Sequence, residues 1–270
     1  MAAKFIDVVR AEFFANLYWM KNNKGLFVAM VVWPYLMVAL VMGMGYLLGS
    51  PEVYTMRMGI SNPALFMLSA SVVAMSSVTI IDTVAGYTLY NRWLGTLNYI
   101  LLTPMKTPKL LIAAGLPTAL FGPAVTISSI LPAAVYFEGV SGGLKLSFMY
   151  AIIIAGMIPL LGISVIAASI LLVVREESNV INSLVPFLLL VSGVFYPVEV
   201  LPGVLQAVSE AIPVRYVVDA AKLVNSISTG FGAQLFTILY ILAFMGVAYN
   251  IIAFLFVGRV DAMAKSRGVD

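Results

Sequence analysis

The 270-residue chain contains no cysteine and no histidine. Without thiols there is no disulfide framework and no cysteine nucleophile. Without imidazole, the usual neutral-pH proton shuttle is missing, and so are the common zinc and haem ligand sets. Charge is scarce as well. Only 10% of residues are Asp, Glu, Lys or Arg, against about 25% in soluble domains. No G-x-x-x-x-G-K-[ST] stretch occurs, so the chain lacks the backbone cradle and lysine that hold nucleotide phosphates. No internal repeat is visible, which weighs against the inverted repeats of many secondary transporters. No cleavable signal peptide is expected, because Lys4, Asp7, Arg10, Glu12, Lys21 and Lys24 interrupt the opening stretch.

What remains is apolar. The chain is 62% hydrophobic with a mean hydropathy of +1.04, more apolar surface than a soluble core absorbs. Repeated long apolar runs point to an all-α integral membrane protein. We expect one domain, 1–270, with six transmembrane helices at about 26–48, 64–85, 110–137, 146–174, 180–196 and 233–257. Residues 1–25 precede this 26–257 bundle and contain an amphipathic helix. Phe5, Ile6, Val9, Phe13, Leu17 and Met20 share one side of it, and Lys4, Asp7, Arg10 and Lys21 lie largely opposite. The reading taken is a helix lying in the membrane interface; packing on protein is the other. Residues 258–270 form a short tail.

Six spans put both termini on one side. The N-terminus, the 87–109 loop, the 175–179 turn and the tail hold eleven of the fifteen Lys and Arg residues. By the positive-inside rule these segments are cytoplasmic, in a multi-pass protein of the cell membrane. Asp82 falls near the inner end of span two, where it is expected to meet water or Arg92 rather than act within the membrane. Asn250 in span six, and Thr126, Ser128, Ser129, Ser164 and Ser169, are expected to hydrogen-bond neighbouring helices. Membrane lipids are expected partners and nucleic acid is not.

Two stretches carry the function. The first is 90–104, YNRWLGTLNYILLTP. Leu94, Leu97, Ile100 and Leu101 recur at helical spacing and Pro104 ends the run, which suggests a short amphipathic helix across the cytoplasmic face. It is either a linker lying in the interface or a contact for another protein. The second is 180–219, an apolar run that stops at Tyr196-Pro197 and resumes in pieces broken by Pro202, Gly203 and Pro213. Backbone that breaks at membrane depth must be shielded by protein or line a watery cavity. Glu199, Glu210, Arg215 and Asp219 there form a gate or, more commonly, a solvated rim.

Asn91-Arg92-Trp93-Leu94-Gly95-Thr96-Leu97, followed by Leu101-Leu102-Thr103-Pro104, resembles the cytoplasmic signature of ABC-2-type transporter permeases. Ser192-Gly193-Val194-Phe195-Tyr196-Pro197, Leu201-Pro202 and Ile212-Pro213 resemble the same family's outer segment. The resemblance implies that 91–102 is a coupling helix docking on a separate ATP-hydrolysing subunit, and that 197–219 is an extracellular re-entrant gate between spans five and six. It implies a non-catalytic chain that binds no cofactor itself, with ATP and Mg on the partner ATPase. It also implies a second permease copy, identical or not, and outward transport. The nearly uncharged spans suggest an amphipathic or lipid-like cargo, such as a drug, lipid or glycolipid. The sequence departs from the family pattern in one respect: Asn91, Trp93 and Asn98 stand where acidic residues are usual, and Arg92 is the only charge. An ATPase-independent carrier or channel is the alternative. A lipid-modifying enzyme fits least, because paired acids occur only in the turn at Glu176-Glu177.

Overall fold

The structure, a computed structural model, describes residues 5–47, 56, 59–60, 62–97, 99, 102–103, 105–172, 177–226 and 232–267. Among these, every element is helical and no strand occurs. In chain order the helices are α1 (Phe5–Asn22), α2 (Lys24–Leu47), α3 (Pro63–Trp93), α4 (Thr107–Leu171), α5 (Glu177–Val191), α6 (Gly203–Glu210), α7 (Pro213–Val224) and α8 (Gly232–Arg267), with a single 3-10 turn at Val198–Val200. Three of them, α3, α4 and α8, are long and apolar enough to cross a membrane, and α1 with α2, bent by 96°, passes the same test as a pair. The chain is an α-helical membrane protein.

α3 is the axis of the bundle. Asn62 caps it by accepting from the Leu65 N–H at 3.1 Å, and Pro63 takes the first helical position, where a missing N–H costs nothing. Its most apolar stretch is 78% buried, against 28% for α8. α8 instead turns Phe236, Tyr240, Phe244, Val247, Ile251 and Leu255 outward as one apolar stripe, the surface that a hydrocarbon surround tolerates. α3 continues to Trp93 and α8 to Arg267, both beyond their expected ends near 85 and 257, because no proline or capping signal interrupts either.

α4 is two antiparallel arms. Helical geometry breaks only at Glu138 (φ −138°, ψ 15°) and Gly139 (φ +65°, ψ −153°). The eight-residue loop expected at 138–145 is therefore a two-residue corner. A left-handed φ is open to glycine at no steric cost, and the arms 107–137 and 140–171 close at once behind it. Tyr150 donates across them to the Leu120 carbonyl at 3.0 Å. At the corner Glu138 pairs with Lys145 and accepts from Asn62 Nδ2 at 3.3 Å, tying it to the start of α3. At the opposite end Arg92 donates to the Leu171 carbonyl, and Leu97, Leu172 and Val260 pack together.

The expected interhelical role of the span hydroxyls is corrected. Thr126, Ser128, Ser164 and Ser169 donate to carbonyls three or four residues back on their own helix, the local bond open to Ser and Thr in any helix. Ser129 is the one that crosses, donating to the Val31 carbonyl at 2.6 Å while its own carbonyl accepts from Tyr35. Both contacts flank Pro34, which removes a ladder bond from α2. Asn250 also crosses, from α8 to the Ile158 carbonyl at 2.9 Å.

α1 is not isolated in an interface. Phe13 meets Phe121 of α4 edge-to-face at 6.1 Å, while Ile6, Phe14 and Tyr18 remain exposed. α5 has 15 residues, about 22 Å of helix, which falls short of the roughly 30 Å bilayer core. Its expected end at 196 moves to Val191, because Ser192 and Gly193 turn the chain there.

Candidate functional site

The Asn91–Leu97 stretch is a helix terminus built in detail. Asn91, Arg92 and Trp93 belong to the last turn of α3 rather than to a separate helix. Gly95 has φ +69°. The Gly95 N–H donates to the Arg92 carbonyl at 2.9 Å, and the Thr96 N–H reaches the Asn91 carbonyl at 2.8 Å. Those two bonds define a Schellman cap, which needs glycine or asparagine at the left-handed position. The Thr96 hydroxyl adds a latch to Asn91 Oδ1 at 2.8 Å. Leu97 is buried, whereas Trp93, Leu94, Tyr99 and Leu102 are exposed, Trp93 and Leu102 by 73% and 79%. Thr103 donates to the Met105 carbonyl at 3.5 Å. Pro104, with Asn98, Ile100 and Leu101, lies outside the described residues.

This cap yields a prediction. A Cβ at Gly95 would meet nothing within 4 Å, so the strain of substitution is purely conformational. Gly95→Ala is expected to cost about 1 kcal/mol and Gly95→Asn clearly less, because asparagine tolerates this conformation. Thermal unfolding of the two variants checks it; equal losses would count against the cap. A bulky residue at 95 changes the cap together with the surface, so Trp93 and Leu102 are the cleaner probes of that surface.

At the other stretch, Ser192 donates to the Leu189 carbonyl at 2.8 Å as α5 ends, and Gly193 turns the chain at φ +79° with Val198 against it. Ser192, Gly193 and Pro197 are buried, Phe195 and Tyr196 half-buried, and Pro202 exposed. Pro213 opens α7 at its first position. Between α6 and α7 the helix-end carbonyls need donors. Tyr216 supplies one to Glu210 at 3.0 Å, and Tyr249 of α8 supplies one to Ala211. α7 lies against the middle of arm 140–171, with Val217 on Gly156. Arg215 stands 3.9 Å from Glu210 and 3.8 Å from Asp219, and Lys222 lies 3.0 Å from Asp219. Glu199 stays outside this chain of ion pairs and is exposed.

A third feature escaped the sequence reading. α1, α2, α3 and the first arm of α4 enclose a cleft of about 930 Å³. Glu12 and Asp82 line it from two different helices. Glu12 is half-buried and Asp82 exposed to the cleft. Among the described residues neither carboxylate has an ion-pair or hydrogen-bond partner. Of the two surroundings expected for Asp82, water or Arg92, the second is not found, because α3 runs on for three turns beyond it and Arg92 turns to Leu171. Burial pushes the Glu12 carboxyl above its ordinary value. One signal was present: on a helical wheel Glu12 falls beside Phe5 and Asn16, on the shoulder of the apolar side, apart from the other charges of α1. Among the described residues no three His, Cys, Asp or Glu side chains gather as metal ligands would.

A comparison with protein-family models finds no match, and a comparison with curated proteins finds none either.

Proposed function

We propose that the chain is the transmembrane subunit of an ABC-2-type exporter, crossing the plasma membrane six times with both termini in the cytoplasm. Two copies pair around a pathway, and a separate ATPase supplies the energy for outward movement of an amphipathic or lipid-like molecule. One observation carries this reading. The stretch whose residues resemble a coupling helix leaves Trp93 and Leu94 exposed at the end of the most enclosed helix of the bundle, and Leu102 exposed farther along the chain. Exposed aromatic patches of this kind suit protein contacts. A push delivered at Trp93 enters α3 directly and passes to every helix packed around it. The segment 192–213, with its glycine turn and three prolines, is the gate that such a push opens. The drive requires that ATP bind the two states of the assembly with different affinity.

The test is co-expression with an ATPase encoded beside this chain, followed by purification and transport into inverted membrane vesicles. The expected result is a stable complex with ATP-dependent uptake. Trp93→Ala with Leu102→Ala should lower ATPase retention at least about tenfold, as loss of a buried aromatic anchor does, while the chain still inserts. Transport by the chain alone, driven by an ion gradient, would replace this reading with that of a carrier. Undiminished retention in the double variant would remove the coupling assignment.

A further inference from the structure

We infer that the cleft between α1, α2, α3 and the first arm of α4 is a binding site for a lipophilic organic cation. Its volume of about 930 Å³ lies at the upper end of the range for drug-sized ligands. Its lining is mostly apolar and aromatic, with Phe13, Trp33, Tyr87 and Phe121 contributed by all four walls. Among the described residues, the only charged groups lining it are the carboxylates of Glu12 and Asp82. Three basic groups of these helices and their flanks are engaged elsewhere. Arg10 lies 5.8 Å over the Phe14 ring, Lys106 lies 5.9 Å over the Phe254 ring, and Arg92 bonds the Leu171 carbonyl.

A half-buried carboxylate without a counter-ion is costly, and an arriving cation removes that cost. Aromatic faces add a second attraction specific to positive charge. A neutral amphipath gains only the apolar walls, and an anion meets two like charges. The chemistry therefore selects an organic cation with a broad apolar body. The inference goes beyond the transport reading and does not rest on it, since equilibrium binding needs no ATPase.

Tetraphenylphosphonium and tetraphenylborate make the test, because they share size and shape and differ in sign. Equilibrium dialysis against the full chain in uncharged maltoside micelles, with empty micelles subtracted, should show one saturable site for the phosphonium and none for the borate. Glu12→Gln and Asp82→Asn preserve side-chain shape and should each weaken phosphonium binding about tenfold, the expectation for one charge contact in a partly desolvated site. The double variant should lose saturable binding while its helix content by circular dichroism stays at the wild-type level. Trp33→Ala is the parallel probe if a carboxylate variant misfolds, and it too should weaken binding. Equal binding of both ions, unchanged binding in the folded double variant or in Trp33→Ala, or no saturable site in the folded wild-type chain would each overturn the inference.

Discussion

Gly162→Val is expected to lower stability by about 2–4 kcal/mol. A Cβ at Gly162 would sit 2.7 Å from the Tyr249 carbonyl carbon, 2.9 Å from the Asn250 nitrogen and 2.9 Å from the Tyr249 oxygen. All three are main-chain atoms of α8, so no rotamer change relieves the overlap and the helix itself must move. Overpacking of this kind costs about 1–3 kcal/mol. The displacement also acts on its neighbours. Asn250 reaches the Ile158 carbonyl from the same turn, and the Tyr249 hydroxyl holds the Ala211 carbonyl at the corner between α6 and α7. Each net hydrogen bond adds about 1 kcal/mol. Thermal unfolding in detergent measures the sum, and an unchanged midpoint would mean that α8 does not approach arm 140–171 this closely.

The second large effect is expected at Gly156, where the neighbour is a side chain. A Cβ there falls 2.2 Å from Val217 Cγ2. Gly156→Ala should therefore cost about 1–3 kcal/mol by forcing α7 away from the arm. Val217→Ala alone should cost about 1–2 kcal/mol through the space it leaves. Combined, the two should cost at least about 1 kcal/mol less than their sum, because the smaller residue at 217 makes room for the methyl at 156. The readout is a double-mutant cycle on unfolding free energy. Strict additivity would mean that the two residues are not in contact, and that α7 is held only from its ends. The Gly162 and Gly156 experiments together separate two ways of seating a helix on arm 140–171, one by backbone and one by side chain.

The helical, membrane-embedded character was legible from composition, because long apolar runs leave few alternatives. The corner at 139 falls inside the expected 138–145 loop, whereas the turn at 193 comes ahead of the expected break at Tyr196-Pro197. Helix ends were less legible. α3 and α8 outrun their apolar stretches because helicity persists through Asn91-Arg92 as far as the cap at Gly95, and through Gly258, and hydropathy reports neither. The hydroxyls of Thr126 and Ser164 were assigned to neighbouring helices, but a bond to the preceding turn is always within reach and needs no partner. The spacing of Leu94, Leu97, Ile100 and Leu101 suggests one short helix running through Gly95. The structure gives Gly95 a φ of +69° and ends α3 there with a hydrogen-bonded cap. The Glu12–Asp82 cleft was the least accessible of all, since its two acids are separated by 70 positions and line one cleft only because α1 packs on the first arm of α4 beside α3.

The hairpin from Gly203 to Val224 contains Glu210, Arg215, Asp219 and Lys222 and no other charged residue, two acids against two bases. All four lie in the one ion-pair chain that runs along α7. A single uncompensated charge carried across the membrane field does electrical work of about 2.3 kcal/mol per 100 mV. A neutral foursome moving as one body does none. A rigid translation of this hairpin that carries all four charges through the same field therefore moves no net charge across the membrane.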